Sequence, residues 1–69
     1  MVQNNLQALR WERELTQRQL SKLSGVSRET ICKIEDGERL NPSVQTALLL
    51  SHALKVTVEE LFYLREGST

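Results

Sequence analysis

The stretch TQRQLSKLSGVSRETICKIEDG, residues 16–37, constrains this chain most, because two helix starts and a forced turn follow one another without a gap. Thr16 can cap the first free N–H groups of a helix, and Gln19, three residues on, can return a bond to the Thr16 backbone. Leu20 and Leu23 then predict one apolar stripe. Gly25 interrupts it, since glycine accepts the left-handed backbone that ends a helix and redirects the chain. Ser27 restarts the pattern as a second N-cap. In the helix that follows, Ile31 and Ile34, with Thr30 behind them, mark a buried face. At about 100° per residue the opposite face carries Glu29, Cys32, Lys33 and Asp36, with Arg28 on its flank in the first turn. An outer face of long hydrogen-bonding side chains suits the major groove of a duplex.

Leu15-Thr16-Gln17, Gln19-Leu20, Gly25-Val26-Ser27-Arg28, Thr30-Ile31, Lys33-Ile34-Glu35 and Gly37, followed by Asn41-Pro42-Ser43 and Val56 to Phe62, resemble the Cro/C1-type (XRE family) helix-turn-helix regulators in order and spacing. The likeness runs along nearly the whole chain. It implies an all-α, compact five-helix, lambda-repressor-like domain spanning 1–69, with the motif at 16–36.

Sixty-nine residues make one domain, near the lower limit for a core without disulfides or metals. The single cysteine excludes an intramolecular disulfide, and no apolar run is long enough for a signal peptide or a membrane span. A cytoplasmic protein with no membrane contact is the expectation. Nine basic residues balance nine acidic ones, which argues at first against a phosphate-binding role. Their distribution answers part of that objection. Between Thr16 and Lys33 the bases Arg18, Lys22, Arg28 and Lys33 face one acid, Glu29, so the rest of the chain is net acidic.

Before the motif, Asn4 or Asn5 can cap a helix whose Leu6 and Leu9 face inward. Arg10 is either solvated or held against the domain, with Glu35 as its partner; the resemblance implies the structural ion pair. Trp11 falls off the apolar stripe, as a half-covered surface aromatic or as a partner contact. Glu14 stands where such proteins often carry glycine, so the helix ends either on a strained left-handed residue or by another route. After the motif, Gly37 and Pro42 bound a turn-rich segment. Ser43 then caps a helix with Val44, Ala47, Leu48, Ser51 and Leu54 as its stripe, which Leu49 and Leu50 widen beyond the needs of a small core. His52 is expected to be solvated. Thr57 and Glu60 predict another capping box, opening a short helix with Val58 and Leu61. Phe62-Tyr63-Leu64-Arg65 alternates as a strand does. It can pair with Met1 to Gln3 as a short two-stranded antiparallel ribbon, or else extend the last helix or fray.

The resemblance places phosphate contact at Gln17, beside Arg18, while Arg39, Asn41 and Ser43 in the following loop are candidates for phosphates across the groove. Arg28 is the candidate base reader, since a guanidinium can bond guanine O6 and N7 together. Lys33 reaches guanine or phosphate. Glu29 accepts from a cytosine amino group or pairs with Lys33. Thr30 is half-buried or touches an edge base. Cys32 invites a redox role that no feature of the sequence supports.

These readings point to double-stranded DNA as partner and to a transcriptional regulator, a repressor working as a homodimer on an inverted repeat, with Leu49, Tyr63 and Leu64 at the dimer interface. The alternative is an antitoxin-like interaction module that holds a second protein and binds DNA secondarily. No clustered acid, base and nucleophile points to an enzyme, and no cofactor or metal is implied.

Overall fold

The computed structural model describes residues 2–38 and 41–64. Strand β1 (Val2–Asn4) leads into helices α1 (Leu6–Glu12), α2 (Gln17–Ser24), α3 (Arg28–Glu35), α4 (Val44–Leu54) and α5 (Val58–Leu61), and strand β2 (Phe62–Leu64) follows. The two strands form an antiparallel ribbon in which Val2 faces Leu64, Gln3 faces Tyr63 and Asn4 faces Phe62. The expected five helices and terminal ribbon are thus both present. None of the described helices is long and apolar enough to cross a membrane.

One apolar cluster holds the helices together: Leu6, Leu20, Val26, Ile31, Ile34, Leu50, Leu54 and Leu61. It draws side chains from all five helices and from the α2–α3 turn. Two expected stripes are corrected. Leu23 is 61% exposed, and Val26 in the turn takes the inward position instead. In α4 the buried line is Ala47, Leu50, Ser51 and Leu54, whereas Val44 and Leu48 are 76% and 53% exposed. Leu50, which looked surplus, is a fully buried core residue. The helix is apolar on adjoining faces, so periodicity alone does not say which face packs inward.

Capping chemistry fixes the helix starts. Thr16 and Gln19 close a full capping box, Gln19 N donating to Thr16 Oγ1 at 3.0 Å and Thr16 N to Gln19 Oε1 at 2.8 Å. Ser27 and Ser43 cap α3 and α4, accepting from Thr30 N and Thr46 N at 3.1 Å. At α5 only half of the expected box forms. Thr57 Oγ1 accepts from Glu60 N, but the Glu60 carboxylate takes the Thr57 hydroxyl rather than its backbone N–H. Asn5 stands at the N-cap of α1 with no side-chain cap bond, and Asn4 Oδ1 instead accepts from Leu6 N at 3.0 Å.

The helix ends share one device. After α1, α3 and α4 a left-handed residue closes the helix with paired backbone bonds from itself and its successor. The left-handed residues are Glu14 (φ 54°), Gly37 (φ 81°) and Lys55 (φ 59°). The residues after Glu14 and Lys55 are Leu15 and Val56, and both pack against the core. The helix before Glu14 therefore ends on a strained non-glycine residue.

Candidate nucleic-acid interface

α3 is oriented by a polar frame as much as by its apolar face. Arg10 Nε and Nη2 donate to Glu35 Oε2 and Oε1 at 2.7 and 3.0 Å, and Arg10 Nη1 donates to the Leu15 carbonyl at 2.8 Å. The Glu35 side chain is 1% exposed and that of Arg10 9%. Hydrogen bonding to Glu35 raises the Arg10 pKa further above its ordinary value, so the guanidinium stays charged. A fork of this kind pins α1 against the last turn of α3 and fixes geometry more reliably than it adds stability. Gln17 joins the frame, its Nε2 donating to Glu35 Oε1 at 3.1 Å.

That bond ties the first turn of α2 to the last turn of α3. Gln17, Arg18 and Arg28 line one concavity together with Arg10, Glu14, Leu15 and Thr16. Arg28 and Gln17 also border the exposed face of α3, where Glu29, Cys32, Lys33, Asp36 and Glu38 meet. The Gln17 amide uses one N–H on Glu35 and keeps a second. Helix α2 has first-turn N–H groups without intrahelical partners, of which Thr16 takes that of Gln19.

The remaining candidates differ in how free they are. Lys33 Nζ lies 3.1 Å from Glu29 Oε1, an i,i+4 ion pair on the outer face. Thr30 is half-buried, and its hydroxyl oxygen accepts from Ser27 Oγ at 2.9 Å. Ser43 spends its hydroxyl on the α4 cap, accepting from Thr46 N and donating to Thr46 Oγ1. Asn41 is exposed, and neither it nor Ser43 borders the two concavities that hold Gln17 and Arg28. Arg39 lies outside the described residues. The Cys32 thiol donates to Asp36 Oδ2 at 3.5 Å, and that bond, with the nearby acids, pushes its pKa up. A raised thiol pKa opposes thiolate chemistry at Cys32.

Arg13, and Asn4 beyond the cap expected of it, also make bonds between elements. Arg13 Nε donates to the Leu54 carbonyl at 2.8 Å and its Nη1 to the Leu9 carbonyl at 3.1 Å, a cation serving the C-terminal ends of α4 and α1. Asn4 Nδ2 donates to the Ile34 carbonyl at 3.1 Å, reaching from the ribbon to α3. A basic residue just past a helix end was the only available hint of the first. Nothing in the sequence pairs residues 4 and 34.

The sequence profile of the family described as "Helix-turn-helix" matches residues 6–61. The HTH-type transcriptional repressor RghR of Bacillus subtilis (strain 168) is 48% identical over 58 residues, covering 84% of this chain and 43% of RghR. RghRB of the same organism, an uncharacterized HTH-type transcriptional regulator, is 46% identical over 81% of this chain and 40% of its own length. The uncharacterized HTH-type transcriptional regulator MJ0272 of Methanocaldococcus jannaschii is 38% identical over 88% of this chain and 91% of its own length. The chain thus spans about two fifths of the length of the two Bacillus relatives. With α2, the Gly25 turn and α3 as its motif, the chain belongs to the Cro/C1-type helix-turn-helix family.

Proposed function

We propose that this chain is a sequence-specific DNA-binding transcriptional regulator, a repressor, that binds an inverted repeat as a homodimer with α3 in the major groove. Residues 1–69 act as one such domain, with the motif at 16–36. The observation that carries this reading is the meeting of Gln17, Arg18 and Arg28 beside the exposed face of α3. Gln17 and Arg18 hold phosphate, aided by the first-turn N–H groups and positive dipole end of α2. Arg28 reads guanine, while Lys33, Glu29 and Thr30 contact neighbouring base edges. Asn41 and Ser43 approach the backbone on the far side, more weakly, since the Ser43 hydroxyl is already engaged. The repressor sense follows the name of the Bacillus relative RghR.

Selection of duplexes from a random pool tests the reading. The expected outcome is a palindromic consensus with half-sites about 34 Å apart, one turn of B-DNA. Arg28→Ala should lower affinity for that consensus by roughly 1–3 kcal/mol and relax one base position, whereas Arg18→Ala should weaken all sequences alike. A pool with no enrichment would overturn the proposal.

Trp11 and Leu23, each 61% exposed, favour as second reading an antitoxin-like module that holds another protein. Stoichiometric co-purification of a second protein, with no consensus from the pool, would select it.

A further inference from the structure

We infer that Asn4 is a positioning residue through which the terminal ribbon sets the C-terminal end of α3. Its amide acts at both ends: Nδ2 donates to the Ile34 carbonyl and Oδ1 accepts from Leu6 N. One half-buried side chain therefore joins the last turn of α3 to the first residue of α1. Asn4 is also the last residue of β1, opposite Phe62 in the ribbon. Its neighbour Asn5 is tied to α5 through Asn5 N to the Leu61 carbonyl and Asn5 Nδ2 to the Glu60 carbonyl. Ribbon and α1 thus meet at one amide that touches α3, and α5 is tied to the residue next to it.

The end that Asn4 touches needs donors. The C-terminus of a helix carries partial negative charge, and here Glu35, Asp36 and Glu38 add three carboxylates to it. Arg10 and Gln17 answer Glu35, the Cys32 thiol answers Asp36, and Gly37 N and Glu38 N close the Ile34 and Lys33 carbonyls. Asn4 supplies the remaining tertiary donor among the described bonds, and the only one from the ribbon. Its loss leaves Glu35 held by Arg10 and Gln17 but removes the bond from the ribbon, so the end of α3 can shift relative to the ribbon. That shift would be felt along the face proposed to read bases.

The inference rests on the DNA-reading proposal only for that last consequence, and one experiment separates the two. Asn4→Asp keeps an acceptor for Leu6 N and has no donor for Ile34, while Asn4→Ser keeps an acceptor and its single short hydroxyl cannot span from Leu6 N to the Ile34 carbonyl as the two-ended amide does; the serine adds no charge, should the aspartate prevent folding. Amide hydrogen exchange of the full chain needs no DNA. Exchange at Gly37 and Glu38 should quicken about tenfold, as for one lost hydrogen bond, while amides of α2 and α4 keep their parent rates. Equal acceleration throughout would make Asn4 a general stabiliser and overturn the inference, as would no change. In fluorescence anisotropy with the duplex selected from the random pool, affinity should fall about tenfold while that for a scrambled duplex holds. Equal loss on both duplexes, or loss on neither, would sever Asn4 from base reading. A parent that selects no duplex would defeat the DNA proposal and leave the exchange result standing.

Discussion

Glu14 and Gly25 occupy the same left-handed region, at φ 54° and 79°, and only one of them is built for it. A side chain there costs roughly 1–2 kcal/mol through contact between Cβ and the following carbonyl, partly offset by the smaller backbone entropy that a non-glycine residue loses on folding. Glu14→Gly should therefore stabilise the domain by about 1 kcal/mol. Gly25→Ala should destabilise it by a similar amount, about 1 kcal/mol, through backbone strain alone; a Cβ at Gly25 would meet nothing within 4 Å. Urea titration of both variants checks the opposite signs. Cys32 gives a second residue-scale prediction. Because Asp36 holds the thiol proton, the pKa is raised, and the contribution to stability is present below the ordinary thiol range and fades as pH climbs through the raised value. Asp36→Asn should return the thiol toward its ordinary pKa and speed its alkylation at fixed mildly alkaline pH. An unchanged alkylation rate would refute the assigned cause.

Between elements, the Arg10–Glu35 fork joins α1 to α3 under nearly complete cover. Removing one partner of such a pair strands a charge and costs about 3–5 kcal/mol, whereas exchanging both for apolar groups costs far less. A domain this small has total stability of roughly 4–10 kcal/mol, so Arg10→Met should bring it close to unfolding. Arg10→Met with Glu35→Leu should recover much of the loss; a denaturation cycle without coupling would reduce the two to independent charges. The pattern of elements was largely legible in the sequence, because Thr16, Ser27, Ser43 and Thr57 mark helix starts by local hydrogen bonding. Local signals also delivered the motif helices and the residues at their first turns. Facing was less legible: Leu23, Val44 and Leu48 repeat at helical spacing yet point outward, since a helix with two adjoining apolar faces is oriented by its neighbours. The bonds that Arg13 and Asn4 make between elements were beyond reach for the same reason. Each acts on a carbonyl that is distant in sequence, and carbonyls leave no mark on residue identity.

At the scale of the molecule, zero net charge conceals a basic stretch from Thr16 to Lys33 and an acidic remainder. The affinity of the proposed interface should fall only modestly with salt, with few phosphates neutralised. Leu49, Tyr63 and Leu64 are 39%, 43% and 73% exposed, and a two-stranded ribbon is marginal alone in water. A twofold-related copy would cover these side chains. Tyr63→Glu combined with Leu64→Glu should shift sedimentation from dimer to monomer; identical sedimentation of variant and parent would place the dimer surface elsewhere. The ribbon also bears on how the chain reaches this structure. Its strands come from opposite ends of the chain, whereas α2 and α3 meet across a three-residue turn, and distant pairings carry the larger loop-closure entropy. The motif helices should therefore assemble first and the ribbon close last, so Phe62→Ala should quicken unfolding while leaving the folding rate almost untouched. The part of the molecule proposed to touch DNA would then be in place before the part proposed to pair the subunits, and a nascent monomer would already carry a formed reading head.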